Sequence, residues 1–188
     1  MQPSTRASAE DYLARERGSE TKHEFVNGHI VAMAGASPRH NAIVANLLAA
    51  LVGRLRGQGC RPLASDQRIH VPATGLYTYP DVSVVCGELE LHPKDAMTVL
   101  NPRVLIEVLS AGTEAHDRGA KFAHYRGLAS VQTYVMVSQH EERVERFERG
   151  PGGVWVLHES VGLESALELP ALTTSVPLGE IYADLPPA

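Results

Sequence analysis

Val104-Leu105-Ile106-Glu107-Val108-Leu109-Ser110 is an apolar, β-type run with one carboxylate at its centre. A charge inside such a strand is costly unless a cation or hydrogen-bond donors meet it. Little in the run itself can satisfy Glu107, so its partner has to come from elsewhere in the chain. Upstream, Tyr79-Pro80-Asp81-Val82-Ser83-Val84-Val85 is a second β-type run with a second acid. Downstream, Asp117-Arg118-Gly119-Ala120-Lys121-Phe122 is helix-like and carries a lysine. The nearly unbroken apolar character of 103–109 marks a strand covered on both faces, central in a sheet.

Working outward from this stretch, the chain alternates in type. Ser37-Pro38 opens a helix with an N-cap residue and a proline at the first helical position. Ile43, Val44, Leu47, Leu48, Leu51, Val52 and Leu55 then recur at helical spacing, which predicts a long core-facing helix ending near Gly57. Strands are expected over 60–71, 77–86, 103–109 and 132–138, with a helix over 117–126. Pro80 suits a strand start or an edge. Residues 88–101 read as a charged connection with at most one short turn.

Asn27-Gly28, between β-type runs on both sides, predicts a tight hairpin. Residues 143–158 read as an exposed hairpin about a glycine-rich turn. Ser8, three residues before Asp11, starts a short helix in a capping-box pattern that ends at Gly18. The tail adds a short strand over 167–169 and a last helix opened by Ser175 and Pro177. The expected architecture is α/β with a mixed sheet: helix-strand-strand-strand-helix-strand with added β-hairpins, one domain over 1–188. It lacks the regular alternation of a dinucleotide-binding sheet.

Composition narrows the function classes. The 188 residues are 44% hydrophobic and 21% charged, ordinary values for a globular protein, with a net charge of −5. That balance counts against a dedicated nucleic-acid coat, which is usually basic. No apolar run approaches the length that crosses a bilayer. The polar N-terminus leading into Glu10 and Asp11 is not that of a secretory leader. Two cysteines make neither a disulfide framework nor a cysteine zinc site, and a reducing cytoplasm is the expected location. Phosphate loops, Gly-x-Gly-x-x-Gly, His-Glu-x-x-His and Gly-x-Ser-x-Gly are absent from the sequence.

The remaining chemistry lies in the acids. Alone, Asp81 reads as a strand-capping turn residue, and Lys121 as a solvated lysine paired with Asp117. Together, two carboxylates that converge from neighbouring strands suit a hard divalent cation such as Mg²⁺, which keeps several waters and takes one or two acids. Such an ion neutralises phosphate charge and acidifies a water. Lys121 shares a helix face with Asp117 and Tyr125 and is placed to stabilise developing negative charge. Glu24 is a candidate third carboxylate. His40, near a helix N-terminus, and Tyr125 are candidate substrate contacts.

Four segments carry a resemblance. They are Lys22-His23-Glu24-Phe25-Val26-Asn27-Gly28, Pro80-Asp81-Val82-Ser83-Val84-Val85, Ile106-Glu107-Val108-Leu109-Ser110 and the run from Asp117 through Lys121 and Tyr125 to Arg126. The pattern resembles the PD-(D/E)xK phosphodiesterase superfamily and, more closely, the Uma-two type family of restriction-endonuclease-like proteins. The resemblance implies a restriction-endonuclease-like fold, with Mg²⁺ (Mn²⁺ as substitute) held by Asp81 and Glu107. It also implies Lys121 as the catalytic lysine and DNA as substrate. In the simplest superfamily motif the lysine stands two residues after the second acid, where this chain has Leu109; Lys121 replaces it only if its helix returns the amine to the acids. Three functions follow: a DNA endonuclease, a non-catalytic module of the same fold binding nucleic acid or a protein partner, and a phosphodiesterase for RNA or a small molecule. Pairing of the 143–158 hairpin across a homodimer would bring together the two sites that double-strand cleavage needs.

Overall fold

Two breaks in the β-type runs shape the molecule. The computed structural model describes residues 6–187; residues 1–5, which bear on the expected lack of a secretory leader, and Ala188 lie outside the described residues. The first elements are helix α1 (Ala9–Glu16), the hairpin β1 (His23–Val26) and β2 (His29–Ala32), and the long helix α2 (Pro38–Leu55). Ser8 Oγ accepts the Asp11 N–H and the Asp11 carboxylate accepts the Ser8 N–H, closing the capping box in front of α1. Asn27 and Gly28 both take positive φ, 51° and 84°, as a two-residue hairpin turn of this hand requires.

The expected strand over 60–71 is two strands, β3 (Cys60–Ala64) and β4 (Arg68–Val71). The expected strand over 77–86 is likewise two, β5 (Leu76–Thr78) and β6 (Val82–Cys86). At each break the chain leaves one sheet for another. Pro80, with no N–H to give a ladder, marks the second crossing. The stretch expected to be a plain connection contains β7 (Leu91–His92) and β8 (Asp95–Val99). Next come β9 (Val104–Val108), the short helix α3 (Glu114–His116), a π-helical turn (Asp117–Lys121), α4 (Phe122–Tyr125) and β10 (Thr133–Val137). The chain ends with β11 (Arg143–Arg149), β12 (Trp155–Val161), β13 (Ala166–Leu169), β14 (Thr174–Pro177) and α5 (Leu178–Ile181). Ser175, expected with Pro177 to open the last helix, lies within β14, whereas Pro177 both ends that strand and stands as the N-cap of α5.

The strand order is β2-β1-β5-β4-β8-β7 in one sheet and β12-β11-β10-β9-β6-β3 in the other, with β13 and β14 as a separate pair. Both large sheets are mixed: β9 and β10 run parallel, as do β4 and β8, while their other pairings are antiparallel. Central placement of β9 follows from its register with β10 on one side and β6 on the other.

Strand alternation divides the core. Val104, Ile106 and Val108 of β9 join Ile43, Leu47, Leu51 and Leu55 of α2 in one apolar layer. Leu105 of β9 joins Tyr125, Tyr134, Ile69 and Leu76 in the other. Glu107 has the parity of Leu105 and so points toward the second layer and the segment that carries Lys121. Contrary to the expectation of a chain without disulfides, Cys60 and Cys86 are bonded. They stand directly opposite each other in the β3–β6 ladder, a proximity the sequence separation conceals.

Candidate active site

Asp81 lies at the crossing between the two sheets, one residue after Pro80 and one before β6. Its Oδ2 accepts the backbone N–H of Val108 at 2.8 Å and faces His40 Nε2 at 3.2 Å. Burial alone would lower the His40 imidazole, but its hydrogen bond to Asp81 and the Asp81 charge outweigh this and raise it above its ordinary value. Glu24 approaches the same seam from β1, where its Oε1 accepts a short hydrogen bond from Thr78 Oγ1 at the end of β5.

Glu107 is buried beside this seam. Its Oε1 accepts from Lys121 Nζ at 3.1 Å and from the Tyr125 hydroxyl at 2.7 Å. Lys121 Nζ also lies 3.2 Å from Asp117 Oδ1 and 3.6 Å from Glu24 Oε1. The π-helical turn creates this arrangement: it sets Asp117 and Lys121 side by side and turns both inward, each less than a tenth exposed. Such turns interrupt helices frequently at functional sites. Asp117 Oδ1 has no hydrogen-bond partner of good geometry, so the ion pair with Lys121 leaves acceptor capacity unused.

Burial raises Glu107 to about 8; Lys121 pulls it part of the way down, and the negative charges of Asp81 and Asp117 push it up again. Lys121 itself is held charged: its burial is more than offset by Glu107, Glu24 and Asp117. Four acids thus share one lysine and one histidine. They line a cavity of about 950 Å³ that also takes in Ser110, Gln139 and the rim residues His29 and His116.

The structure therefore brings together Asp81, Glu107, Lys121, Glu24 and His40. Two assignments change. Tyr125, expected to touch substrate, is fully buried and outside the cavity lining, with its hydroxyl committed to Glu107. His40 lines the cavity, but its ring contacts Asp81 rather than open space. Asp117 is more than the surface partner of a solvated lysine, since it is buried within the same cluster. Its four-residue spacing from Lys121 was the available clue. Gln139 and Thr78, which tie the site to its strands, carry no mark in the sequence.

The donors are all carboxylate oxygens and outnumber the cations, the composition that suits a hard divalent ion. Among the described residues no group of three or more His, Cys, Asp or Glu side chains is disposed to hold a metal ion. Glu24, expected as a third ligand, instead stands against Lys121 and Thr78.

The chain matches the profile of the Uma2 family, described as "Putative restriction endonuclease", over residues 9–178, and it belongs to that family. Two relatives from Synechocystis sp. are each 33% identical to it. "Uncharacterized protein sll1609" aligns over 86% of this chain and 91% of its own length, and "Uncharacterized protein slr1290" over 97% and 95%. A crystal structure described as that of a putative nuclease belonging to DUF820 from Anabaena variabilis superposes with a TM-score of 0.77. That superposition covers 94% of this chain and 97% of the other at 14% identity, and it establishes the shared fold.

Proposed function

We propose that this chain is a Mg²⁺-dependent endonuclease that hydrolyses DNA phosphodiester bonds, with Mn²⁺ as an effective substitute. The observation that carries the reading is the buried acid cluster: Glu24, Asp81, Glu107 and Asp117 line one cavity, and a single lysine, Lys121, lies within 3.6 Å of three of them. Family membership and the nuclease-like fold support it. Asp81 and Glu107 would hold the cation, which when bound neutralises phosphate charge and lowers the pKa of a water.

The chain's own residues do the rest. Lys121, kept charged by three acids, presents a fixed positive centre to the cavity, where it stabilises negative charge building on a phosphodiester. Tyr125 fixes one oxygen of Glu107, and the Val108 N–H fixes one of Asp81. The acidic net charge leaves non-specific grip on DNA weak, so salt dependence should be shallow. The reading sets the protein in the cytoplasm with its DNA; the Cys60–Cys86 bond is the feature that argues the other way.

The test is cleavage of linear and supercoiled DNA with Mg²⁺ or Mn²⁺, beside RNA and a chromogenic phosphodiester. Asp81→Asn and Glu107→Gln should abolish cutting while remaining folded. Cutting by these variants at the parent's rate would sink the site assignment, and preference for RNA or the small ester would redirect the substrate.

The reading of a non-catalytic module has its own support, since Lys121 is already engaged by three carboxylates within 3.6 Å. Mn²⁺ titration separates the two, because a module without catalysis needs no cation. We further propose a homodimer joined through β12. It is an outer strand of its sheet, with Val156, Leu157 and Val161 exposed. Edges of this kind invite strand addition. Sedimentation of a Leu157→Lys variant, expected to be monomeric, checks it.

A further inference from the structure

His40 stands in the first turn of α2, yet its side chain serves a strand crossing 41 residues away. Its Nε2 lies 3.2 Å from Asp81 Oδ2, the same oxygen that accepts the Val108 N–H at 2.8 Å. Two elements, α2 and β9, thus send donors to one oxygen of one carboxylate. The other oxygen, Oδ1, has no hydrogen-bond partner among the described residues.

The turn that carries His40 is itself anchored. Ser37 Oγ accepts the His40 N–H at 3.1 Å and donates to Gln139 Oε1 at 2.8 Å. Gln139 Nε2 in turn donates to the Leu109 carbonyl at 2.6 Å. The start of α2 is therefore pinned to the ends of β9 and β10, and β9 is the neighbour of β6, the strand that follows Asp81. His40 Nδ1 is buried and has no hydrogen-bond partner. The ring's contact with Asp81 runs through Nε2.

We infer that His40 is a positioning residue for Asp81, holding Oδ2 so that Oδ1 is left to take a divalent cation. The inference rests on the metal-site reading given above and replaces a direct phosphate contact by His40. Metal ligands in general depend on such outer partners, which set the orientation and basicity of the ligating oxygen.

The experiment is calorimetric titration of Mn²⁺ into the parent, His40→Leu, His40→Ala, His40→Gln and Asp81→Asn, with kcat and KM on DNA at saturating Mn²⁺. His40→Leu, which keeps bulk and loses the donor, should weaken Mn²⁺ binding by about 10–100-fold. It should lower kcat while leaving KM for DNA near the parent's. His40→Gln, whose amide nitrogen can reach the same oxygen, should recover most of the affinity. If His40→Leu does not fold, His40→Ala gives the same reading.

Parent-like Mn²⁺ affinity in the leucine and alanine variants overturns the inference. So does a raised KM for DNA with metal binding intact, which is the signature of a phosphate contact. Failure of the glutamine variant to improve on leucine also overturns it. Asp81→Asn separates the levels: if it binds Mn²⁺ like the parent, the metal site itself is wrong, whereas loss there with retention in His40→Leu removes only the role of His40.

Discussion

Lys121 Nζ stands 3.1 Å from Glu107 Oε1 although 14 residues of chain separate them. The place where the simplest motif would put a lysine is held by Leu109, which is buried in the apolar layer with Tyr125 and Met136. The π-helical turn compensates by bringing an amine back over the strand. Removing it should cost both chemistry and stability. Lys121→Ala strips the shared cation from Glu107, Asp117 and Glu24, and breaking a buried ion pair from one side typically costs about 3–5 kcal/mol. The variant should melt well below the parent and show no cleavage at temperatures where it remains folded. Parent-like activity in a folded Lys121→Ala would remove the lysine from the reaction.

Glu107 predicts the opposite effect on stability. Its ordinary value is 4.5, and burial, with Lys121 pulling down and Asp81 and Asp117 pushing up, leaves it at about 8 in the fold. Between those values the folded chain keeps a proton that the unfolded chain releases, so the unfolded state gains as pH rises. The associated stability is complete below pH 4.5 and lost by the time pH passes 8. Glu107→Gln removes this slope while keeping an oxygen for Lys121 and Tyr125. The variant should match the parent near pH 4.5 and exceed it progressively toward pH 8. Denaturant midpoints across that range measure it; a constant difference would show that Glu107 does not titrate there.

Tyr125→Phe tests the reassignment of that residue from substrate contact to support. The hydroxyl donates to Glu107 Oε1 and favours its charged form. Its loss should raise Glu107 further, so the acid limb of the pH–rate profile moves to higher pH. KM for DNA should stay within about two-fold, since a group that does not touch substrate removes no uniform binding energy. A raised KM with an unmoved pH profile would restore the original assignment.

Local chemistry made much of the fold legible. Asn27-Gly28 demanded positive φ twice, and Ser37-Pro38 offered a cap and a proline where a helix tolerates one, so the hairpin and α2 stand where the sequence placed them. β9 announced itself as central because its residues are apolar on both faces. The split of 60–71 and of 77–86 was not legible, because each run keeps its β-type residues across the break. Only the long-range pairing of β3 with β6, and of β4 with β5 and β8, decides which sheet each half enters.

The same reason separates what was readable in the site from what was not. Asp81, Glu107 and Lys121 stood out because a charge in an apolar setting needs a partner. The use of His40 on Asp81 depends on the start of α2 lying against the seam, which no local pattern encodes. Tyr125 shared a helix face with Lys121 in the sequence, but helical spacing does not say which side of Glu107 that face approaches. The cysteines failed for want of register: Cys60 and Cys86 face each other only because β3 pairs β6 from Ala64 with Val82 outward.

That disulfide yields the last prediction. β3 is the outer strand of its sheet, and the bond fastens its first residue to the last residue of β6. The four-residue climb from Val82 to Cys86 puts it roughly 13 Å along the strand from the crossing that carries Asp81. A cross-link at sequence separation 26 restricts the unfolded chain and should be worth about 3–4 kcal/mol on the loop-entropy model. The Cys60→Ser, Cys86→Ser double variant should therefore melt lower. Its Mn²⁺ affinity and cleavage, measured below that melting point, should equal the parent's. Protein purified without reductant should resist maleimide labelling until reduced, and its melting point should then fall to that of the double variant. Labelling of both thiols in freshly purified protein would show that the chain works reduced, as the cytoplasmic reading requires. Loss of cleavage with stability intact would instead mean that the β3 edge helps to shape the cavity.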